Sequence, residues 1–391
     1  MKITHIHLSG PFTKGLTYQE NLLSKHHKLL GFDVSVITNQ YSYNDSGSLI
    51  LIKERIEFTD DGRKIIRLPI KNNKKFKHKF KRYEGLYETL LSEKPSVVFL
   101  HGTQFCDVNK IIKYIKNNPE VKLYADNHAD FTNSATNFLS RNIIHKIIWK
   151  RTTKKIEKYA EKIWGVTPGR VDFLKNMYNV NSENTDLLIM GGDDEYIKKN
   201  DGLKIRESFK EELLIITGGK IDSYKKEVLN LMNAVSKLPP GKIKLVVFGS
   251  VQEELKEEFE LYIDSDNIDY IGWINNKESY DYFSAVDMAI FPGRHSVYWE
   301  QVVSQGTPVV GFKNGGVEEI IDNENGALFE QGDIESIKRF LIKYIDGEVS
   351  FNSPSTMSMS ALKRFDKAIM GEKYYELYKK TMLLKTNKKS E

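Results

Sequence analysis

Short apolar segments of strand length alternate with amphipathic segments of helix length through most of this chain. Strand-like segments occupy residues 2–8, 32–38, 97–101, 121–125 and 163–166, and apolar residues recur at helical spacing through 18–30. A second alternating series starts at residue 213 and continues to residue 346. Strands that alternate with helices pair as parallel sheets covered by helices. The pattern therefore predicts an α/β protein.

The two series predict two domains. A polar, charged stretch at residues 195–212 separates them and is interpreted as a linker. We predict an N-terminal domain over residues 1–195, completed by a C-terminal helix at 365–391, and a C-terminal domain over 205–364. Doubly wound sheets of this Rossmann-like kind bind ligands at the carboxyl ends of their strands. If the two domains face a central cleft, the loops that directly follow strands hold the site.

Composition excludes several classes of protein. The chain has 391 residues, 40% of them hydrophobic and 28% charged, which is typical of a globular protein and not of a disordered or collagenous one. Cys106 is the single cysteine, so no internal disulfide is expected. Residue 1 leads straight into an apolar strand-like run, and all apolar runs are short, so neither a secretory signal nor a membrane span is expected. These features favour a cytoplasmic location.

Basic residues are concentrated in two segments of the first half. Residues 71–82 hold seven Lys or Arg and no acid, and residues 141–162 hold eight against two Glu. Because Phe, Ile and Trp are interleaved with them, these segments suit an anionic membrane surface or a polyanion, so peripheral binding to the inner face of the membrane is expected. The alternative is a solvated helix face. The net charge of +5 is too small to indicate nucleic acid.

The second series opens with a glycine-rich strand end, LLIITGGK, at residues 213–220. Gly218 and Gly219 allow a ligand to approach the backbone closely, and Lys220 and Lys225 can neutralise a phosphate. The spacing is not that of a Walker A loop. The segment therefore favours phosphate binding without identifying the ligand.

A second loop of this kind lies within residues 290–312, IFPGRHSVYWEQVVSQGTPVVGF. It holds Arg294, His295 and Ser296, and Glu300 stands near the start of the helix that follows. A helix start offers free backbone N–H groups to an anion. A carboxylate beside such a site suits the two hydroxyls of a ribose, which both donate hydrogen bonds. The alternative is a carboxylate that only stabilises the helix N-terminus.

Polar residues also follow two strands of the first series. His101 ends one strand, and Asp126 and His128 follow another. We interpret them as an acceptor-side cluster in which Asp126 or His128 accepts a proton from a hydroxyl. A metal site and a hydrogen-bonded loop without chemistry are the alternatives. His5 and His7 are expected to be merely buried, alternate positions of the first strand.

Residues 213–345 resemble the donor-binding domain of the retaining GT-B glycosyltransferases of family 4. The resemblance rests on GGKIDSYKKEVLNLMNAV, YIGWI, AVDMAIFPG, WEQVVSQGTPVVGF and GGVEEIIDNENGALF, which occur in the family's order and at similar spacing. The Gly15-containing loop after the first strand and the segment GFDVSVIT resemble the family's acceptor domain less specifically. The implied fold is GT-B. The implied donor is a UDP- or GDP-linked sugar, with no required cofactor and no metal.

The resemblance also implies roles for individual residues. Glu300 matches the second glutamate of the family's E-x(7)-E motif, which binds the nucleotide ribose. Pro292 stands where the first glutamate, which contacts the donor sugar, is expected. The sugar contact is therefore assigned to Arg294, His295 and Ser296.

Other positions follow by the same analogy. Trp273 and Ile274 are placed near the base. Lys220 replaces the family's diphosphate-binding arginine, and Lys225 lies at the usual distance from it, although Lys226 aligns better with the helix that follows.

The expected activity is transfer of a hexosyl group, with retention, from a nucleotide-sugar to a hydroxyl of a glycan, polymer or lipid-linked acceptor. Lys220 and Lys225 would stabilise the leaving diphosphate, and Asp126 and His128 would serve the acceptor beside Gly15 and His101. Two alternatives remain: a nucleotide-sugar 2-epimerase of GT-B fold, and a non-catalytic sugar-nucleotide-binding partner. The Lys- and Asn-rich composition favours a microbial source and a role in bacterial surface polysaccharide synthesis.

Overall fold

The computed structural model describes residues 1–44, 48–71, 81–131, 133–189, 191–198, 201–223, 225–293, 295–313, 320–321, 324–330 and 333–351. The described residues fall into two compact units, Met1–Ile189 and the part that follows it. Three features of the sequence analysis lie outside the described residues: the predicted C-terminal helix at 365–391, Arg294, and most of the basic segment 71–82.

The first unit is a parallel sheet with helices between its strands. Its strands are β1 (Lys2–His7), β2 (Asp33–Asn39), β3 (Tyr41–Tyr43), β4 (Leu49–Leu51), β5 (Ile56–Phe58), β6 (Lys64–Leu68), β7 (Val97–His101), β8 (Lys122–Asn127), β9 (Ala160–Gly165) and β10 (Thr185–Leu187). Its helices are α1 (Gln19–Leu29), α2 (Leu86–Glu93), α3 (Val108–Asn117), a π-helix (Ser140–Trp149), α4 (Lys150–Glu157), α5 (Pro168–Tyr178) and a 3₁₀ turn (Ser182–Asn184).

The main sheet of the first unit has eight strands in the order β10-β9-β8-β7-β1-β2-β6-β5. All neighbours are parallel except β5 and β6, and β3 pairs with β4 in a separate antiparallel ribbon. Strand β7, VVFLH, is buried at every position, as expected for a central strand covered on both faces. The chain turns from one half of the sheet to the other between β1 and β7, so the carboxyl ends of these strands form the crevice in which such sheets bind ligands.

The second unit is a smaller doubly wound sheet. Its elements are α6 (Asp194–Lys198), α7 (Gly202–Glu207), β11 (Leu213–Ile221), α8 (Glu227–Ser236), β12 (Ile243–Val251), a 3₁₀ turn (Glu253–Leu255), α9 (Lys256–Ile263), β13 (Ile268–Tyr270), α10 (Asn276–Ala285), β14 (Met288–Phe291), α11 (Tyr298–Ser304), β15 (Val309–Phe312), β16 (Gly326–Phe329) and α12 (Ile334–Ile345). The six strands are parallel in the order β13-β12-β11-β14-β15-β16. This is the 3-2-1-4-5-6 order of dinucleotide-binding sheets, whose switch point lies between β11 and β14.

The predicted linker at 195–212 is wrong in its described part, because helix α7 packs against α10 as part of the second unit. The Asp201 backbone N–H donates to Asp281 Oδ1 over 2.9 Å. A Cβ added to Gly202 would lie 2.0 Å from the hydroxyl oxygen of Ser284, which shows how closely the two helices approach. The polar sequence of this stretch reflects ion pairing at a helix surface, such as that of Lys277 with Asp201 and Asp281, and not an open linker.

Within the described residues, no helix combines the length and the apolar character that crossing a membrane requires.

Candidate active site

Glycines lie near the carboxyl ends of β11 and β12, next to the switch point of the second unit where the sequence predicts the donor site. Gly219 pairs with Gly249 where β11 and β12 end, and both have a left-handed φ, 112° and 108°. A Cβ on Gly249 would lie 1.9 Å from the Gly219 carbonyl oxygen, and one on Gly218 would lie 2.2 Å from that of Phe248. The clashing atoms belong to the paired strand, so glycine at these positions lets the two backbones approach closely near their carboxyl ends.

Lys225 lies at the switch point itself. Its Nζ would be 3.5 Å from a Cβ on Gly219, at the end of β11, and its Cα would be 3.3 Å from a Cβ on Gly293, just after β14. Burial lowers the pKa of Lys225, and Asp222 partly offsets this. A diphosphate in the crevice would favour the charged amine, because an opposite charge stabilises the protonated form.

The other two lysines of this region are exposed. Lys220 is the solvent-facing residue near the end of β11, and Lys226 precedes helix α8. The sequence leaves open whether Lys225 or Lys226 contacts the diphosphate. The geometry favours Lys225, because its side chain lies between Gly219 and Gly293.

Glu300 is a buried carboxylate in the first turn of α11, with 2% of its surface exposed. His295 donates from Nε2 to its Oε1 over 2.8 Å. Its Oε2 is also buried, and among the described residues it has no hydrogen-bond partner. An unpaired buried carboxylate oxygen is costly, so this atom is well suited to accept hydrogen bonds from a ligand.

The remaining residues predicted for the donor side follow β13 and β14 and differ in exposure. Trp273 is 52% exposed and Ile274 is half-buried, just beyond β13. Ser296 is half-buried beside His295, and Pro292 is buried at the end of β14.

Tyr298 is a neighbour of the crevice that sequence reasoning missed. A Cβ on Gly219 would lie 3.2 Å from its ring, which also packs edge-on against Phe248 with centroids 5.1 Å apart. The only sequence signal is its position two residues before Glu300, so its place depends on tertiary packing.

The structure brings the acceptor-side cluster of the first unit together. Asp126 accepts from His101 Nδ1 at Oδ2 (2.9 Å) and from His128 Nε2 at Oδ1 (3.1 Å). The Gly102 backbone N–H also donates to Oδ1 over 3.1 Å. Asp126 and His101 are completely buried, whereas the His128 side chain is 32% exposed. His128 is therefore the one member of this cluster that solvent can reach.

Hydrogen bonding keeps Asp126 ionised. Burial by itself raises the pKa of this carboxyl. The charge and hydrogen bonds of the His128 and His101 imidazoles outweigh burial, so the pKa of Asp126 lies well below its usual range. A carboxylate only accepts, so His101 must carry its proton on Nδ1 and His128 must carry one on Nε2. In neutral His128 this leaves Nδ1 as the basic atom, as in the orientation of a catalytic histidine by an aspartate.

The expectation that His5 and His7 merely occupy a buried strand is incomplete. Both are buried, but His5 Nδ1 lies 3.0 Å from His101 Nε2, and its Nε2 lies 2.9 Å from His27 Nδ1 on α1. Burial lowers the pKa of His7 to about 4, mainly by desolvation. The sequence signal for this network was alternation of histidine within an apolar strand.

The metal alternative involves the same atoms. One ligand-type atom from each of His101, Asp126 and His128 lies within 4.8 Å of the others, so this group could hold a divalent ion. Hydrogen bonds between those atoms already account for their proximity, because Asp126 accepts from both histidines.

Gly15 lies in the loop between β1 and α1 and is exposed, with a left-handed φ of 80°. Its predicted acceptor-side role stays a prediction.

Two doubly wound units, each with polar loops at the carboxyl ends of its parallel strands, define the GT-B fold. Residues 198–364 match the family described as Glycosyl transferases group 1. A search of curated proteins finds no match.

Solved structures share the fold over nearly the whole chain. Sucrose-phosphate synthase from Thermosynechococcus elongatus is 13% identical with a TM-score of 0.68, and the alignment covers 98% of this chain and 99% of that one. Anabaena Alr3699/HepE in complex with UDP is 14% identical with a TM-score of 0.66, covering 97% and 100%. WaaG, a glycosyltransferase involved in lipopolysaccharide biosynthesis, is 14% identical with a TM-score of 0.60, covering 93% of each chain. With the group 1 match, these findings support a glycosyltransferase enzyme.

Proposed function

We propose that this protein transfers a hexosyl group from a UDP- or GDP-linked sugar to a hydroxyl of a glycan, polymer or lipid-linked acceptor, with retention, in bacterial surface polysaccharide synthesis. The observation that carries the proposal is the buried Glu300, whose Oε2 has no partner among the described residues and which lies in the helix that follows β14, beside the switch point of the sheet. Two ribose hydroxyls would supply the missing hydrogen bonds. The group 1 match and a neighbour solved in complex with UDP support the same donor class.

Thermal unfolding with a panel of UDP-, GDP- and ADP-sugars tests the donor. A ligand at 100 times its Kd stabilises the folded state by about 2.7 kcal/mol, which should raise Tm by roughly 5–10 °C in a unit of this size. Absence of a shift with every member of the panel would contradict the proposal.

Lysine charge would assist the departure of the nucleoside diphosphate. Lys225 lies between Gly219 and Gly293, and Lys220 is exposed near the end of the same strand. Charge that grows on the leaving group is stabilised more in the transition state than in the bound donor. Replacing Lys220 by alanine should therefore lower turnover more than it weakens donor binding. Equal losses in kcat and in donor affinity would mean that Lys220 only binds.

Proton acceptance is proposed for His128, held by Asp126. Its ring is the exposed member of the acceptor-side cluster, and its Nε2–H donates to Asp126 over 3.1 Å. The free Nδ1 would accept the hydroxyl proton as the new glycosidic bond forms.

Product analysis distinguishes this activity from the two alternatives. A transferase attaches sugar to an added acceptor, and NMR of the anomeric proton of the product reports retention. A 2-epimerase would convert the nucleotide-sugar to its C2 epimer without any acceptor. A non-catalytic partner would bind the donor without consuming it.

We propose further that the first unit docks on an anionic membrane, where a lipid-linked acceptor would be reached. Side chains at the start of the π-helix and along it expose apolar surface: Phe138 79%, Leu139 56%, Ile143 44% and Ile147 44%. Residues 131–156 contain six Lys or Arg and no acid. Apolar surface among basic residues suits anionic headgroups, each basic side chain contributing about 1 kcal/mol near the surface. The basic segment 71–82 stays part of this proposal.

Cosedimentation with phosphatidylglycerol-containing vesicles tests the docking. Binding is expected at low salt and should be lost with the double variant Arg141→Glu/Lys146→Glu. The control Lys210→Glu/Lys237→Glu changes the net charge equally on exposed positions of the second unit and should still bind. Absence of binding at every salt concentration, or equal loss in both variants, would contradict a specific docking face.

A further inference from the structure

Four histidines and one aspartate form a continuous hydrogen-bonded chain through the first unit. It runs from His27 on α1 to His5 on β1 (2.9 Å), from His5 to His101 on β7 (3.0 Å), and from His101 to Asp126 on β8 (2.9 Å). It ends at His128, 3.1 Å from the second oxygen of Asp126. Every member except His128 is buried.

One ion determines the direction of all these hydrogen bonds. The Asp126 carboxylate accepts from His101 Nδ1–H, so in neutral His101 the other nitrogen, Nε2, carries a lone pair. That lone pair requires a proton on His5 Nδ1, and the same reasoning then requires one on His27 Nδ1. Burial holds the pKa of His5 well below its usual value and lowers that of His27 to about 3, so both rings stay neutral.

We propose that His101 and His5 are positioning residues for the Asp126–His128 pair. The hydrogen-bonded chain orients the Asp126 carboxylate so that its Oδ1 accepts from His128 Nε2–H. This leaves Nδ1 of His128 as the proton acceptor. This inference rests on the proposed transferase function, in which His128 takes the proton of the acceptor hydroxyl.

Orientation, and not proton conduction, is the role that the geometry supports. The inner end of this hydrogen-bonded chain is His27, a completely buried side chain of α1. A proton passed inward would leave an imidazolium there, away from water, and such a charge is costly. It would also reverse the two hydrogen bonds between histidines, since each of those bonds needs one donor and one acceptor.

Substitutions can separate positioning from packing. Asparagine at position 101 or 5 carries an amide N–H where the histidine carries Nδ1–H, so it can keep the donor to the next member of the chain. Leucine fills comparable space without a donor. Leucine should therefore be tolerated if these side chains only pack against Phe99, which stacks on His5.

Imidazole ¹⁵N NMR of the intact protein reports the histidine tautomers directly. We expect Nδ1–H for His5, His27 and His101, and Nε2–H for His128. His101→Leu should convert His128 to a mixture of tautomers, whereas His101→Asn should preserve its Nε2–H form. Wild-type His128 as the Nδ1–H tautomer, or an unchanged His128 spectrum in folded His101→Leu, would overturn the proposal.

Turnover gives the second readout. His101→Leu should lower kcat at least about 10-fold, a part of the 10²–10⁴ that a general base contributes, while His101→Asn should recover most of it. The same order is expected for His5→Leu and His5→Asn. Donor binding should not change, because the proposed donor residues belong to the other unit. Equal kcat in the Asn and Leu variants would refute positioning.

The tautomer measurement needs no substrate. If the protein transfers no sugar, the proposed function fails while the spectra still decide whether the chain orients His128. If sugar transfer is found but the tautomers differ from those expected, only the positioning inference fails. If His101→Leu does not fold, His5→Leu replaces it. His5 is one member further from Asp126 in the hydrogen-bonded chain.

Discussion

Replacing Glu300 by glutamine should weaken nucleotide binding and leave the ligand-free protein at least as stable. In the wild-type protein Oε1 accepts from His295 over 2.8 Å, and Oε2 is buried without a partner among the described residues. Glutamine preserves the shape and one oxygen for His295, but it places a donor where a ribose hydroxyl would need an acceptor. Each charge-assisted hydrogen bond lost is worth about 1.5–3 kcal/mol, so one such bond corresponds to a roughly 10- to 150-fold rise in Kd.

The same substitution removes a cost in the ligand-free state. An unpaired polar group in a buried position costs about 1–3 kcal/mol, and more when it is charged. Urea unfolding without nucleotide should therefore show Glu300→Gln to be equal to or more stable than the wild type. A loss of stability would mean that Glu300 serves mainly to hold the loop through His295.

Isothermal titration with UDP and with 2′,3′-dideoxy-UDP completes the assay. The wild-type protein should lose affinity when the ribose hydroxyls are removed, and Glu300→Gln should bind the two nucleotides about equally. The pair of comparisons isolates the contact between carboxylate and hydroxyls from any general change in the crevice. Equal UDP affinity in wild type and variant, in a folded protein, would refute the assignment of Glu300 to the ribose.

Two further predictions concern charge. Lys225→Met should lower kcat more than it weakens donor binding. The control Lys226→Met, at an exposed neighbouring position, should leave both nearly unchanged. Similar losses in the two variants would contradict the placement of Lys225 at the diphosphate. The first unit should lose stability on acidification, because burial lowers the pKa of His5, of His7 (to about 4) and of His27 (to about 3) from the usual 6.5, so below pH 6.5 the unfolded chain takes up protons that the folded chain does not. Urea unfolding followed through the first unit should show a loss of roughly 1–2 kcal/mol per histidine between pH 7 and pH 5, and a flat profile would contradict neutral buried imidazoles.

Much of the fold is predictable because its signals are local. Apolar runs of strand length, such as the one that becomes β7, and the helical spacing of α1 lie where the sequence places them. The loops after β11 and β14 carry glycine, lysine and glutamate in an order that resembles family 4. The sequence analysis does not predict the strands β3–β6. Strands β4 and β5 are mostly exposed and their apolar residues lack a clear period, whereas β6 is mostly buried and is a strand that the analysis missed.

Sequence alone determined the α/β class, two successive units and the loops in which ligand-binding residues must be sought, because the pattern of apolar residues reports which face of an element is buried. It does not report what that face is buried against. Only the tertiary structure places Lys225 between Gly219 and Gly293, which come from opposite sides of a switch point. Likewise, His5 and His101 are 96 residues apart in the chain, and parallel pairing of β1 with β7 brings their rings within hydrogen-bonding distance. Strand order is a non-local property, and for that reason a histidine that looks like a core position in the sequence becomes part of a directed hydrogen-bonded chain in the fold.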